Sequence, residues 1–543
     1  MEEKMPSQPD SGFPTGRPEL WCLGVSAVLG ILLTNFLLFG GFRLGFALIS
    51  AVLILFNGIF LLCRGHRLTP YSAALLILSL VICGSFARAD DGFVKFMMLQ
   101  FLMVSAGLGL SLLAGKNRWN AGKLSSLLDG PRVLFGFGFG QIGASVRGLH
   151  TARKHRSGAG KKRGAVLIGL AAAIPLLAIV IPLLMRSDAA FEGLMGLLPD
   201  FDFAELLVSL LIGLPVALAL YTHAVALHHM PGTAAPEKER KTLPIATVNA
   251  VLGALCGVYF LYLFSQLAYF FGGFSGILPA EYTFAQYARR GFFEMAWLCA
   301  INLTVMVFAV GFTQKQGKVA RSTRWLCLFI GLVTLFFVVT ACAKMLLYID
   351  VYGLTRLRVL TQVILVFMGI TTALVCVWLF VPKFAYMKPI LLLALILGAA
   401  VAWADVDAVV AKYNVNGYLE GRMETIDVSY LGTLETGAVP QLARLAEEAP
   451  DAAVAREAQW ILSNWYLSAP ADFREWNYSD HEAQKYLPEE PQDIPPEIDE
   501  DKEKVSVPND PDSLGIHAIT PVKSRVCPES ESFLLDWQHY VAG

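Results

Sequence analysis

The residues best equipped for chemistry lie in one short stretch, EYTFAQYARRGFFEM, running from Glu281 to Met295. It sets Glu281, Tyr282, Tyr287, Arg289, Arg290 and Glu294 between two long apolar runs. A charge near the centre of a membrane helix costs about 2.5–3.5 kcal/mol on insertion scales, so such a cluster needs a reason. If a helix starts near Thr283, Arg290 and Glu294 stand four apart on one face, with Tyr287 three before Arg290. Arginine forks grip carboxylates and phosphates with two parallel hydrogen bonds. These six residues are therefore candidates to bind a carboxylate, a phosphate or a lipid headgroup. The competing reading is an interfacial anchor, because tyrosine favours headgroup depth and a terminal arginine reaches for phosphate.

Other motifs carry less. Gly138 to Gly143 fits the spacing of a dinucleotide fingerprint, but no strand precedes it and no acidic residue follows at the required distance. His223, His228 and His229 cluster at the end of an apolar run without a metal-binding pattern, and read as an interfacial group. Asp405 and Asp407 are two apart and do not share a helical face. A helix cap or a solvated helix end fits them better than a cation site. No cofactor motif and no metal site is expected.

The elements that must position these residues are membrane helices. Of the 543 residues, 55% are hydrophobic and 16% charged, and the mean hydropathy is +0.55. Soluble domains carry nearer one quarter charge. Apolar runs of membrane-spanning length place about eleven spans, near 20–39, 44–62, 71–86, 93–113, 165–185, 203–227, 245–271, 292–312, 325–342, 359–380 and 389–403. The class is thus all-α, a polytopic helical membrane protein. The net charge of −1 gives no reason to expect nucleic acid. The nine cysteines form no paired motif, and most sit singly in apolar runs as small hydrophobes.

Lys and Arg concentrate in alternate loops: 64–67, 116–163, 238–241, 315–324 and 383–388. The positive-inside rule puts these loops and the N-terminus in the cytoplasm, and everything after Asp405 outside. The loop 116–163 holds eleven basic residues against Asp129 alone, and is expected to meet anionic lipid. Within it, the glycine–phenylalanine run 134–143 is too short to span and is expected in the interface or slightly re-entrant. Residues 1–19 read as a disordered leader, 20–404 as the membrane domain, 405–487 as an external helical cap, 488–513 as an acidic, proline-rich linker and 514–543 as a tail.

The signature stretch resembles the hallmark of a bacterial, largely Firmicutes, family known only as domain of unknown function four-one-seven-three, and of its relative four-one-five-three. Three further blocks resemble the family pattern after the last span: Ala411 to Asn416, Ile426 to Leu431 with Ala438 to Pro440, and Trp476 to Ser479. The resemblance spans roughly residues 200–480 and implies a multi-pass membrane protein with no assigned catalytic residue or substrate.

Three functional classes follow. One is a transporter or lipid-handling protein using the Tyr/Arg/Glu cluster. The second is an envelope signalling or assembly scaffold, whose cap meets an envelope protein and whose basic loop meets the cytoplasmic side. A membrane enzyme with Glu281 or Glu294 as base ranks last, because no nucleophile–base pair accompanies them. No span has a central Asp or Glu, which weighs against proton-coupled transport.

Overall fold

The structure, a computed structural model, describes residues 12–154, 203–232, 243–274, 292–313, 320–381, 384–467 and 472–488, with residues 176, 180, 183–188 and 470. Among these, every regular element is helical. Nine helices are long and apolar enough to cross a membrane: α1 (Arg17–Gly40), α2 (Leu44–Cys63), α4 (Gly92–Ala114), α6 (Phe203–His229), α7 (Ile245–Phe274), α8 (Phe292–Thr313), α9 (Arg321–Tyr352), α10 (Arg356–Phe380) and α11 (Met387–Ala404). The shorter α3 (Pro70–Ser85) is apolar too, and α5 (Ile142–Lys154) is an amphipathic helix. The polytopic helical class expected from hydropathy is what the chain forms. The expected span 165–185 lies almost entirely outside the described residues.

Local chemistry sets the helix ends. Thr69 and Ser72 form a reciprocal capping box ahead of α3, Asp91 caps α4, and Thr355 caps α10. Gly115 ends α4 in the left-handed conformation. At α1 the helix begins at Arg17, inside the stretch whose composition reads as leader, and Phe13 ahead of it is buried.

The helices form two groups. Helices α1–α4, α6 and α11 share two adjoining apolar cores, and α7–α10 share a third built on Leu252, Met306, Ile330 and Phe337. Helix α11 follows α10 in the chain but packs on α3 and α4, so it links the groups. The seam between α1 and α6 is made of small residues on both sides. Ser26, Gly30 and Thr34 recur every fourth residue on α1, and Ser209, Gly213 and Ala217 do so on α6. A Cβ on Gly30 would lie 2.5 Å from the Ala217 Cα, so the two backbones touch.

One end of the bundle, the cap face, is covered by α12 (Val406–Leu419), α13 (Val428–Gly432), α14 (Val439–Glu448), α15 (Ala452–Ser463) and α16 (Tyr478–Ala483). They share a core of Val410, Ala411, Leu431, Leu442, Leu445 and Ala458. Helix α9 has 32 residues, about 48 Å at helical rise, so it outruns a hydrocarbon core of about 30 Å and reaches this layer.

At the opposite, basic face the loop after α4 turns back into the bundle. Gly130 lies against Gly107, seven residues inside the end of α4 or about 10 Å at helical rise, and a Cβ on Gly107 would meet the Gly130 oxygen at 2.5 Å. Residues 132–137 form a π-helical turn, and Gly138 lies beside Ala219 of α6. The glycine–phenylalanine run thus packs back against α6, with Phe137 and Gly138 buried and Phe135, Gly136 and Phe139 exposed. Asp129 is fully buried there; its carboxylate accepts from the Arg118 and Trp119 amides and pairs with Arg132 at 2.9 Å.

The α1–α6 contact yields a direct expectation. Gly30→Leu should lower stability in detergent by about 1–3 kcal/mol through overpacking. Gly58→Leu on α2, where a new Cβ meets nothing within 4 Å, should change it little. Thermal unfolding of the two variants side by side checks this, and equal effects would refute the close-packed seam.

Candidate functional site

The signature residues Glu281, Tyr282, Tyr287, Arg289 and Arg290 lie outside the described residues. Phe292 and Met295, at the start of α8, pack with Met345 and Ile349 of α9 and with Tyr413 of the cap, so α8 begins at the cap face. Glu294 is exposed, and its carboxylate acts electrostatically on Lys344 of α9.

The described polar constellation at that face is the junction between cap and bundle. Asp407 of α12 is 2% exposed and binds Arg356, the first residue of α10, in two-pronged fashion, with Nε to Oδ1 at 2.8 Å. The same carboxylate accepts the Glu435 amide at 2.9 Å. Arg356 also approaches Asp91 at 3.6 Å, and its own amide donates to the Tyr430 hydroxyl at 2.9 Å. One arginine, through its guanidinium and its backbone amide, thus gathers α4, α10, α12 and α13.

Asp405 sits between α11 and α12 and does two jobs. It is the one non-glycine with positive φ (54°) among the described residues, ending α11 with a left-handed residue. Its carboxylate then caps α12 at the Ala408 amide and accepts the Ser479 hydroxyl. Arg88 stands 3.7 Å away. Gly437 approaches so closely that a Cβ there would fall 2.5 Å from Oδ1. Burial raises the Asp405 carboxyl above its ordinary value, against the hydrogen bonds from Ser479 and Ala408. Asp405 is therefore a helix cap, whereas Asp407 is neither a cap nor solvated. It is a buried ion-pair partner.

A third knot centres on Arg43, in the turn between α1 and α2. It pairs with Asp90, lies 3.4 Å from Asp480 of α16, and donates to the Glu475 carbonyl at 3.0 Å. Lys95 holds the other oxygen of Asp90. Burial pushes the Asp90 carboxyl up, but Lys95 and Arg43 outweigh it and hold it below its ordinary range. A fourth knot joins Arg474 to Glu205 at the start of α6 and to Asn35 of α1, at 2.7 Å for the latter. Backbone bonds complete the strap: Leu44 donates to Trp476, Tyr478 to Ala87, and Ser479 to Arg88. The block Trp476–Ser479 seen in the sequence is thus the segment lying across the ends of α2 and α3. Asn416 bonds Arg444 and Asp427 caps α13, so both serve the cap.

The junction is closed. Voids lined by Asp91, Asp405 and Asp407, by Phe86 and Met98, and by Arg43 and Asp480 measure about 10 Å³ each. That is room for one water at most.

The predicted histidine group divides three ways. The His223 Nδ1 bonds the Val133 carbonyl of the loop after α4 at 3.2 Å. His228 meets His66 of the α2–α3 turn at 3.1 Å, and His229 lies 3.4 Å from Glu19 of α1. Among the described residues no group of three or more His, Cys, Asp or Glu is arranged to hold a metal ion.

Sequence reasoning missed Arg43, Arg88, Arg356 and Arg474 as a set. The available signal was that cap-face turns hold acids and bases together at span ends, while basic-face loops are dominated by Lys and Arg.

Together the fold and this junction define a multi-pass helical membrane protein with a cap fastened to one face. Residues 72–445 match the family described as a domain of unknown function, DUF4153, and the chain belongs to that family. The match covers the relative four-one-five-three, not four-one-seven-three, and extends back through α3 and α4, beyond the blocks quoted above. No curated protein and no solved structure matches the chain.

Breaking a buried pair by removing one partner typically costs about 3–5 kcal/mol, because the other charge is stranded. Arg356 keeps 33% of its side chain exposed, so the low end applies. Arg356→Met should therefore destabilise the cap by about 3 kcal/mol, and adding Asp407→Leu should recover part of that loss. Limited proteolysis between α11 and α16 reads both, and an additive double variant would show that the pair is not coupled.

Proposed function

We propose that this protein is a membrane scaffold, in which the cap is a rigid platform for an envelope partner and the basic face engages anionic lipid. The observation supporting the platform is the junction. Each cap-face cation named above is matched to a carboxylate, four knots tie the cap to six different helices, and the voids between measure about 10 Å³ each. The basic face contrasts with this. Its two described carboxylates, Glu19 and Asp129, are buried and already bonded to arginine, whereas Arg67, Lys116, Arg321, Arg324 and Lys388 also lie in the turns and helix ends of that face. That asymmetry favours a cytoplasmic basic face and an outer cap.

The reading is tested by spin labels at Gln459→Cys on α15 and Leu357→Cys on α10, with the native Cys63 and Cys527 replaced by Ser. A rigid platform gives one narrow distance distribution that inorganic phosphate or phosphatidylglycerol vesicles leave unchanged. Two distributions, or a ligand-driven shift, would show a moving cap and sink the scaffold.

A second reading, transport or lipid handling at Glu281, Tyr282, Tyr287, Arg289, Arg290 and Glu294, is favoured by the exposed Glu294 beside Lys344 at the cap face. On this reading Arg290→Glu abolishes binding of anionic lipid to the purified protein while its thermal stability stays within about 0.5 kcal/mol, the range of a surface change. Unchanged binding removes the cluster as a ligand site.

A further inference from the structure

At the basic face, imidazoles link the α2–α3 turn to α6, and α6 to α1. His66 lies in the turn between α2 and α3, and His228 and His229 end α6. The His66 Nε2 stands 3.1 Å from the His228 Nδ1, and the two rings are nearly perpendicular at 82°. His228 contacts His229 with ring centroids 4.6 Å apart, and His229 reaches Glu19 at 3.4 Å. Glu19 in turn pairs with Arg64 and accepts the Gly16 amide, which anchors the start of α1. Phe13 stacks on His229 from the other side.

A nitrogen-to-nitrogen hydrogen bond needs one lone pair. It holds while either ring is neutral on the facing side, and it fails when both facing nitrogens carry hydrogen. The charged and titratable groups around the pair are Arg64 from the end of α2, Lys116 from the end of α4, His229 of α6, and Glu19 of α1. Glu19 is the one carboxylate in that set, and Arg64 already engages it. A second proton on the pair therefore meets two cations and no unengaged anion.

We propose that His66 and His228 form a proton-operated latch that fastens the α2–α3 turn to the end of α6 and releases it when both imidazoles are charged. Helix α3 is the shortest of the apolar helices, and the turn ahead of it is the end that the latch would free. Burial, aided by Lys116, lowers the His66 pKa below its ordinary 6.5. The sign is consistent. A histidine whose folded pKa is depressed binds fewer protons closed than open, so the closed form loses stability as pH falls from about 6.5 through the folded value.

The test is hydrogen exchange of the full chain in lipid nanodiscs, read on the amides of Gly65 and His66, which bond to the Leu62 and Leu61 carbonyls. After correction for intrinsic exchange, the turn should open about tenfold more at about pH 5.5 than at about pH 7.5. His66→Gln and His228→Gln keep a polar partner without the titration, and each should flatten that dependence. A pH-independent wild type overturns the latch. So does the same tenfold change in both variants, which would place the proton elsewhere. Two substitutions on different elements keep the test decisive if one of them fails to fold.

Discussion

The pairing of Asp407 with Arg356 is the contact on which the cap depends. A carboxylate at 2% exposure beside the hydrocarbon layer keeps its charge only if its oxygens are met. Here the guanidinium and the Glu435 amide meet them. Once that pair is made, the start of α12 is fixed over the start of α10, and the sharp turn at Asp405 follows. Asp tolerates the left-handed region better than most residues, and the cost of order 1–3 kcal/mol is offset by its three partners: the Ala408 amide, the Ser479 hydroxyl and Arg88. Ser479 then draws the strap across α2 and α3, and Arg43 and Arg474 seat it. Each link places the donor that the next requires.

Glycine has the same role inside the bundle that ion pairs have at its edge. In lipid there is little hydrophobic drive between helices, so close backbone approach must supply packing energy. Gly30 against Ala217 and Gly107 against Gly130 are such approaches. The second one lets a non-spanning segment lie at bilayer depth, where Asp129 draws its neighbours' amides onto itself. A longer side chain at either site would hold the elements apart and leave polar backbone facing lipid.

The parts legible in the sequence are those set by local physics. The bounds of α2, read as 44–62 and found at 44–63, follow from apolar length, and Asp91 and Thr355 sit where caps belong. Helix α9 ran past its expected end at 342 to Tyr352, because Lys344 and Asp350 lower hydropathy without breaking a helix that leaves the membrane. The glycine–phenylalanine run was legible as a segment too short to span, and it packs beside α6 at Gly138. The junction was not legible in this way. Arg356 and Asp407 are 51 residues apart, Arg43 and Glu475 are 432 apart, and nothing in either neighbourhood names the other. Asp405 and Asp407 were visible as a pair, but helical spacing alone could not say that one turns the chain while the other is buried. Of the signature cluster, Glu294 alone lies within the described residues, at the start of α8 where Phe292 and Met295 pack beside Tyr413.

The two faces use charge in opposite ways, and this bears on what the molecule can do. At the cap face, burial makes each carboxylate depend on a particular cation, which favours one geometry and disfavours sliding of the cap over the bundle. At the basic face the two described carboxylates are bonded to Arg64 and Arg132, while Arg67 and Arg321 are exposed. Exposed cations at a membrane surface are the groups that anionic headgroups attract. Rigidity on one side and adaptability on the other suit a body that holds a fixed platform on a membrane. A conduit would need the reverse at the cap face: carboxylates with water beside them and room to change partners. The described junction, with voids of about 10 Å³, gives Asp91, Asp405 and Asp407 neither.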